Sequence, residues 1–546
     1  MKKETLKKNS FIGGAFVTTM AIILVKVLGI VYVIPFKDLV GEMGGALYGY
    51  GYNIYALFLS ISSAGFPFAV SKLTSEFLAL ENKNGVTQVY KISKIIIFSL
   101  SFIMFILLLL LATPIAKTLA PSGTGGNTVE DIALILRIVS FSILVVPFLS
   151  VTRGFLQGHK IITPGSISQV IEQFVRVVVI LGGCYLSLRV FHTSLTVAVG
   201  ISIFAACVGG LISLIYLQVK LHRSNLLEKD VQVESSEVTK KIIKSLCFYA
   251  FPYVIISAIT NLYEIIDMVA IQRVLSDIIK LDATTTETVS SIFTIWGGKI
   301  NGIILALITG INTSLAPVIV TSYTKKDMTD VNDKINKSLE LILFLIVPLT
   351  FFLSVFARPL WTFFYGYNAI CVEVYRCFVF YALFGGLFTI VVNILQNLSK
   401  YKEVIISISI GLFFNLVFDA PFIYLFYKLG FPPGNGAVVC GLIAYSISSI
   451  YGISRLRNKY HISFKDIRKR FKDFILPWFV FAIFVILTER ILPTNLNGRL
   501  PQIPVLGIAG VVCFGVYFYI SYKSGIFTYL FDFKLTDRIP FLKKKK

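Results

Sequence analysis

Charge is what this chain has least of: Asp, Glu, Lys and Arg make up only 15% of its 546 residues. Soluble domains carry nearer a quarter, so a water-soluble enzyme or a nucleic-acid-binding module is not the reading for the body of the chain. Histidine is scarce as well. The four that occur (His159, His192, His222 and His461) fall in loops or at helix ends, which argues against a histidine-based catalytic centre or a transition-metal site. The seven cysteines form no C-x-x-C pair and most lie in apolar segments, as small packing residues do. No small-residue cleavage site follows the first apolar run, 11–34, which is also too long for a signal peptide. No connection is long enough for a separate soluble domain; the longest polar loops are 220–242 and 455–472.

Apolar runs fill the space that charge leaves. Hydrophobic residues reach 56% and the mean hydropathy is +0.80, the composition of a polytopic membrane protein. A helix needs about 20 apolar residues to cross a bilayer. Fourteen runs qualify: 11–34, 46–71, 93–116, 131–152, 164–188, 195–219, 243–270, 289–315, 338–357, 373–397, 402–427, 435–454, 473–491 and 503–522. With the N-terminus taken as cytoplasmic, 37 Lys and Arg fall in inner segments and nine in outer ones. That asymmetry places both termini in the cytoplasm and explains the net charge of +22 by contact with anionic lipid rather than nucleic acid.

The chain also repeats itself. Arg137 and Arg376 stand 239 residues apart, as do Gln157 and Gln396, within segments that align without a gap. Pro67 pairs with Pro317 and Pro114 with Pro359 in matching contexts. Helices 1–6 and 7–12 therefore read as two six-helix bundles in parallel repeat, with helices 13 and 14 added. The expected division is 1–222 for the first lobe, 223–242 for a cytoplasmic linker, 243–457 for the second lobe, and 458–546 for the last two helices and a basic tail. Two such lobes with a cleft between them form an alternating-access exporter fold.

Ionisable residues inside spans are costly and mark candidate sites. In RGFLQGHKIITPGSISQVIEQFVR, residues 153–176, Glu172 and Arg176 share a helix face. They read either as a self-neutralising brace or as a polar wall of the cleft. Lys26 lies about eight residues, roughly 12 Å, from the outer end of helix 1, and Lys299 lies at a similar depth in helix 8. Two ammonium groups at that depth suit an anion such as a pyrophosphate. Asn53 on helix 2 and Glu264 on helix 7 complete the candidate substrate set. Asp267 on helix 7, with Asn415 and Asp419 one turn apart on helix 11, offers hard oxygen donors for Na⁺ or a shared proton. No other cofactor is expected.

The stretches KVLGIVYVIPF, GYGYNIYALFLSISSAGFPFAVSKLTSE and RGFLQG with TPGSISQVIEQFVRV resemble the stage V sporulation protein B-like branch of the multidrug/oligosaccharidyl-lipid/polysaccharide exporter superfamily. That branch includes lipid II flippases of the MurJ type, and the resemblance covers the whole chain. It implies a transporter rather than an enzyme, resident in a bacterial cytoplasmic membrane. Its cargo would be an undecaprenyl-pyrophosphate-linked glycan, carried in a cationic cleft, and cell-wall synthesis machinery would be its neighbour. It implies a Na⁺ site at Asp267, Asn415 and Asp419. The chain departs from the pattern at Lys26 and at Val33, both places where the family has arginine; Lys26 keeps the charge but loses the guanidinium fork. Two other classes are weighed against this one. A cation-coupled exporter of drugs or organic cations would want an acidic cleft, and a membrane glycosyltransferase would want a large extramembrane loop.

Overall fold

The computed structural model describes residues 11–121, 125–224, 226–227 and 236–531, and among them every regular element is helical. The N-terminal lysines, part of the 223–242 linker and the basic tail lie outside the described residues, so the orientation expected of the termini does too. Two compact units are present, Met1–Lys299 and Ile300–Lys546. The first holds α1 (Phe11–Val31), α2 (Val33–Ser63), α3 (Phe66–Ala79), α4 (Lys83–Leu119), α5 (Val129–Gly158), α6 (Thr163–Tyr185), α7 (Leu195–Arg223), α8 (Ser236–Arg273) and α9 (Ala283–Ser291). The unit boundary falls inside α10 (Gly297–Thr324). The second unit continues with α11 (Met328–Val355), α12 (Ala357–Tyr365), α13 (Ala369–Phe378), α14 (Phe380–Asn397), α15 (Tyr401–Lys428), α16 (Gly434–Tyr460), α17 (Lys465–Ile491), α18 (Gln502–Lys523) and α19 (Ile526–Phe531).

Among the described residues, thirteen helices are long and apolar enough to cross a membrane, and a shorter apolar one covers Val17–Val31. Each corresponds to one of the fourteen expected runs, and many exposed side chains are Leu, Ile, Val and Phe. A surface of that kind is stable only against lipid. The repeat boundary expected at 223–242 concerns descent, whereas the unit boundary concerns packing. Helix α8 packs on α2, α3 and α4, and α9 packs on α2, so both belong to the first compact unit.

Local chemistry sets the shape of the first unit. Gly65 adopts φ 79° between α2 and α3, and Pro67 follows in the first turn of α3. A left-handed residue ends one helix, and proline starts the next where its missing N–H costs nothing. Pro67 thus begins a helix here instead of kinking one. Further along, Gly154 and Gly158 form a G-x-x-x-G face on α5. A Cβ on Gly154 would come within 2.4 Å of the Pro67 carbonyl oxygen, and one on Gly158 within 2.7 Å of the Ser71 carbonyl oxygen. Only glycine lets α5 lie directly on α3, a standard device between membrane helices. The Ser75 hydroxyl donates to the Gly158 carbonyl at 2.9 Å and fixes the contact. Phe66, Val70, Leu73, Tyr90 and Phe155 fill the core alongside.

The second unit is held by other means. Phe344, Phe352, Phe474, Phe481 and Tyr517 build an aromatic core joining α11, α17 and α18. The Tyr517 hydroxyl donates to the Phe344 carbonyl at 2.7 Å. Glu403 at the start of α15 accepts Lys459 of α16 at 2.6 Å, with the Arg455 Nε 3.4 Å away.

Candidate functional site

Five intramembrane charges of the first unit, Lys26, Arg153, Glu172, Arg176 and Lys299, gather beside α2. The Glu172 carboxylate is shared, with Oε1 accepting from Arg176 Nη2 at 3.0 Å and Oε2 from Arg153 Nη2 at 2.9 Å. The reading of Glu172 and Arg176 as a self-neutralising pair is therefore corrected: two guanidinium groups surround one carboxylate and leave a positive excess. Arg153 stands in the last turns of α5. Its Nε donates to the Ser168 hydroxyl at 2.7 Å, and Ser213 lies 3.4 Å from its Nη2. One arginine so ties α5, α6 and α7 together. The Arg176 Nε–H is buried and has no acceptor among the described residues.

Beside this triad stands a run of tyrosines from α2. The rings of Tyr48 and Tyr52 stack at 6.0 Å with an interplanar angle of 10°, and Tyr55 tilts against Tyr52 at 6.1 Å. Tyr48 and Tyr55 are buried, but Tyr52 is 37% exposed. Arg176 lies within electrostatic reach of all three rings' hydroxyls, and Lys299 within reach of Tyr48. The half-buried Lys299 ammonium sits 5.4 Å from the Tyr32 ring centroid, a cation–π contact. Lys26 is exposed on α1 and close enough to Lys299 for each to feel the other's charge. Helix α1 lies against α6, where Thr18 and Ser166 hydroxyls meet at 3.4 Å.

The structure thus brings Lys26, Lys299, Glu172 and Arg176 around one tyrosine-walled region and adds Arg153 and Tyr52 to them. Four cations stand against one carboxylate. A turn of π-helix, Ile292–Trp296, immediately precedes the Gly297–Gly298–Lys299 segment; such turns recur at functional sites. Asn53, expected with the substrate set, is buried at 6% on α2 while its neighbour Tyr52 is the accessible one. Glu264 is exposed on α8, and Asp267, three residues on, is 6% exposed. Val33, where the family pattern has arginine, is buried at 1% in a place suited to an apolar residue.

The second unit contains a different kind of site. Asn415 and Asp419 lie one turn apart on α15, exposed by 0% and 1%. Neither carboxylate oxygen of Asp419 has a hydrogen-bond partner among the described residues. A buried carboxylate without a partner must take up a proton or a cation. Asp267 belongs to the first unit and is described there. No group of three or more His, Cys, Asp and Glu side chains that could hold a metal ion occurs among the described residues.

Taken together, these are the features of a polytopic all-α transporter fold with a cationic site in its membrane-spanning part. The chain belongs to the polysaccharide biosynthesis protein family, whose model matches residues 11–319. It is 31% identical to the lipid II flippase MurJ of Bacillus subtilis (strain 168) over 529 residues, covering 95% of this chain and 96% of that protein. Among solved structures, one of lipid II flippase MurJ in an inward closed conformation superposes with TM-score 0.60 at 17% identity, covering 94% of this chain and 99% of the other. An inward-facing multidrug resistance MATE family transporter of the MOP superfamily also matches with TM-score 0.60, at 15% identity, covering 80% of this chain and 96% of the other. At those identities the structures show the shared fold, and the fold is that of an alternating-access transporter.

Proposed function

We propose that this protein is a flippase that moves a polyprenyl-pyrophosphate-linked oligosaccharide, lipid II, from the inner to the outer leaflet of a bacterial cytoplasmic membrane. The observation that carries this reading is the positive excess around α2: Lys26, Lys299, Arg153 and Arg176 against Glu172 alone. A pyrophosphate brings the charge that such a site lacks. The free Arg176 Nε–H offers a donor for a phosphate oxygen, and charge-assisted bonds of this kind are among the stronger ones. Glu172 keeps the two guanidinium groups apart and oriented when no anion is present. The likeness to a lipid II flippase over nearly the full chain supports the same substrate class.

Organic-cation export fits less well, because a cationic guest would meet like charge at Lys26 and Lys299. The membrane-embedded location of the site favours transport over group transfer. Asp419 with Asn415 is our candidate for coupling to Na⁺ or a proton. Their oxygens suit a hard monovalent cation, and a bound ion biases the conformational equilibrium only by its unequal affinity for the two states. Asp267 remains the sequence-based third candidate, and Glu264 and Asn53 remain candidates for headgroup contact. Both termini face the cytoplasm in this reading, and cell-wall synthesis enzymes supply and consume the cargo.

The test is translocation of fluorescent lipid II in reconstituted vesicles, paired with rescue of cells depleted of their lipid II flippase. The wild-type protein moves lipid II and rescues growth, and the Lys26→Ala, Lys299→Ala double variant does neither. Normal transport by that folded double variant would remove the cationic site from the mechanism. Failure of the wild-type protein in both assays would remove lipid II.

A further inference from the structure

A second anion-attracting cavity lies far from these residues in sequence, where α16 gives way to α17 within the second unit. It has a volume of about 720 Å³. Arg457, His461, Lys465 and Arg468 stand around it, and Leu343, Ile462 and Phe471 supply its apolar part. The segment that forms it is pinned. His461 takes a left-handed conformation, φ 55°, to end α16. The Asn336 Nδ2 then donates to the Ser463 carbonyl at 2.6 Å, and the Ser463 N–H donates to Asn332 Oδ1 at 3.0 Å. The Ile467 N–H reaches Asn336 Oδ1 at 3.3 Å. Two asparagines of α11 therefore hold the connection and the first turn of α17 in place.

The eight basic residues of this segment divide into those with a partner, those that border the cavity, and Lys469 and Lys472, which do neither among the described residues. Arg455 and Lys459 share Glu403 as counter-ion, and Arg470 sits over Tyr529 with its guanidinium carbon 3.3 Å from the ring centroid. Arg457, Lys465 and Arg468 have no carboxylate partner among the described residues, and all three border the cavity. Charge asymmetry across a membrane asks for positive residues on this side. It does not ask that three of the five unpaired ones, Lys469 and Lys472 being the other two, converge on one cavity with an apolar floor.

A further feature decides what kind of anion fits. Phe471 borders the cavity and also begins an accessible apolar stripe: Phe471, Ile475 and Phe479 are 45%, 51% and 63% exposed at four-residue spacing on α17. Residues so spaced share one helix face, so the stripe runs from the cavity along the helix into its membrane-spanning part. A soluble phosphate has no use for it. We infer that this cavity binds an anionic glycerophospholipid, with the phosphate among Arg457, Lys465 and Arg468 and an acyl chain along Phe471, Ile475 and Phe479. The lipid is a resident regulator or brace, separate from the transported substrate.

The experiment uses the full-length protein in detergent and measures bound lipid by native mass spectrometry and thermal stability. The probes are phosphatidylglycerol, phosphatidylcholine and water-soluble glycerol phosphate. Phosphatidylglycerol is retained and raises the melting temperature, whereas phosphatidylcholine and glycerol phosphate are not and do not. The triple variant Arg457→Gln, Lys465→Gln, Arg468→Gln loses about tenfold or more in phosphatidylglycerol occupancy. The control triple variant Lys325→Gln, Lys469→Gln, Lys472→Gln removes the same charge from exposed positions that do not border the cavity, and it keeps wild-type occupancy. All six side chains are exposed, so both variants fold. Equal loss in the two triples means diffuse surface attraction and overturns the site. Equal retention of the two phospholipids, or equal stabilisation by glycerol phosphate, overturns the lipid assignment.

Discussion

Two carboxylates, Glu172 of the first unit and Asp419 of the second, are treated in opposite ways. In the first, Glu172 is satisfied by two arginines, the surplus cations stand beside tyrosine rings, and Lys26 and Tyr52 remain accessible. In the second, Asp419 is sealed from solvent, and neither of its oxygens has a hydrogen-bond partner among the described residues. The first arrangement keeps a net charge ready for a large guest that comes and goes. The second holds a charge that only a proton or a bare ion can reach. Size of guest, rather than sign of charge alone, separates the two.

The largest effect expected from this contrast is on transport. Arg176→Ala combined with Lys299→Ala lowers lipid II translocation about a hundredfold, two charge-assisted phosphate contacts being removed together. Asp419→Asn lowers it less and removes its dependence on a Na⁺ or proton gradient, measured in the same vesicles with the gradient imposed or collapsed. Equal gradient dependence in the two variants would erase the distinction between the units.

Stability gives the sharper test because the signs are opposite. Glu172→Gln strips two arginines of their counter-ion and costs about 2 kcal/mol, less than a fully buried pair because the triad is partly accessible. Asp419→Asn replaces an unpartnered carboxylate with a neutral isostere and gains about 1 kcal/mol. Melting curves in one detergent measure both. Destabilisation by both substitutions would mean that Asp419 is paired after all.

Smaller effects follow on α2. Tyr52→Ala removes the accessible ring and raises the half-saturating lipid II concentration a few-fold, about 1 kcal/mol, while Tyr52→Phe leaves it unchanged. Asn53→Ala alters transport least, since that side chain is buried away from the accessible ring; its effect appears as about 1 kcal/mol of stability. A transport defect larger for Asn53→Ala than for Tyr52→Ala would reverse the assignment of faces on this helix.

The spans were legible in the sequence because a bilayer demands long apolar runs, and each expected run has its helix. The Glu172–Arg176 contact was legible because helical spacing dictates it. Arg153 was not, since it reaches Glu172 across a turn, at a separation of 19 residues that no periodicity marks. Tyr52 was hidden by abundance: 26 tyrosines and 47 phenylalanines occur in the chain, so an aromatic in a span carries little signal. Its neighbour Asn53 drew notice instead, as a polar residue in an apolar run, although neighbours on a helix point about 100° apart and only one of the two is accessible. The break before Pro67 is easily passed over in the sequence for a related reason. Proline alone suggests a kink, and the left-handed Gly65 two residues earlier turns it into a helix start.

The π turn at Ile292–Trp296 gives the chain a means of steering one side chain. A π turn is an α-helix carrying one residue too many, and absorbing or releasing that residue turns everything beyond it by about 100°. Lys299 lies three residues past the turn. The ammonium can therefore be swung toward Tyr32 or away from it by a slip of a single backbone hydrogen-bond register, a rotary adjustment that displaces the helix axis by little more than the rise of one residue. A helix with one residue deleted from this turn is locked in a single setting, and Lys299 with it.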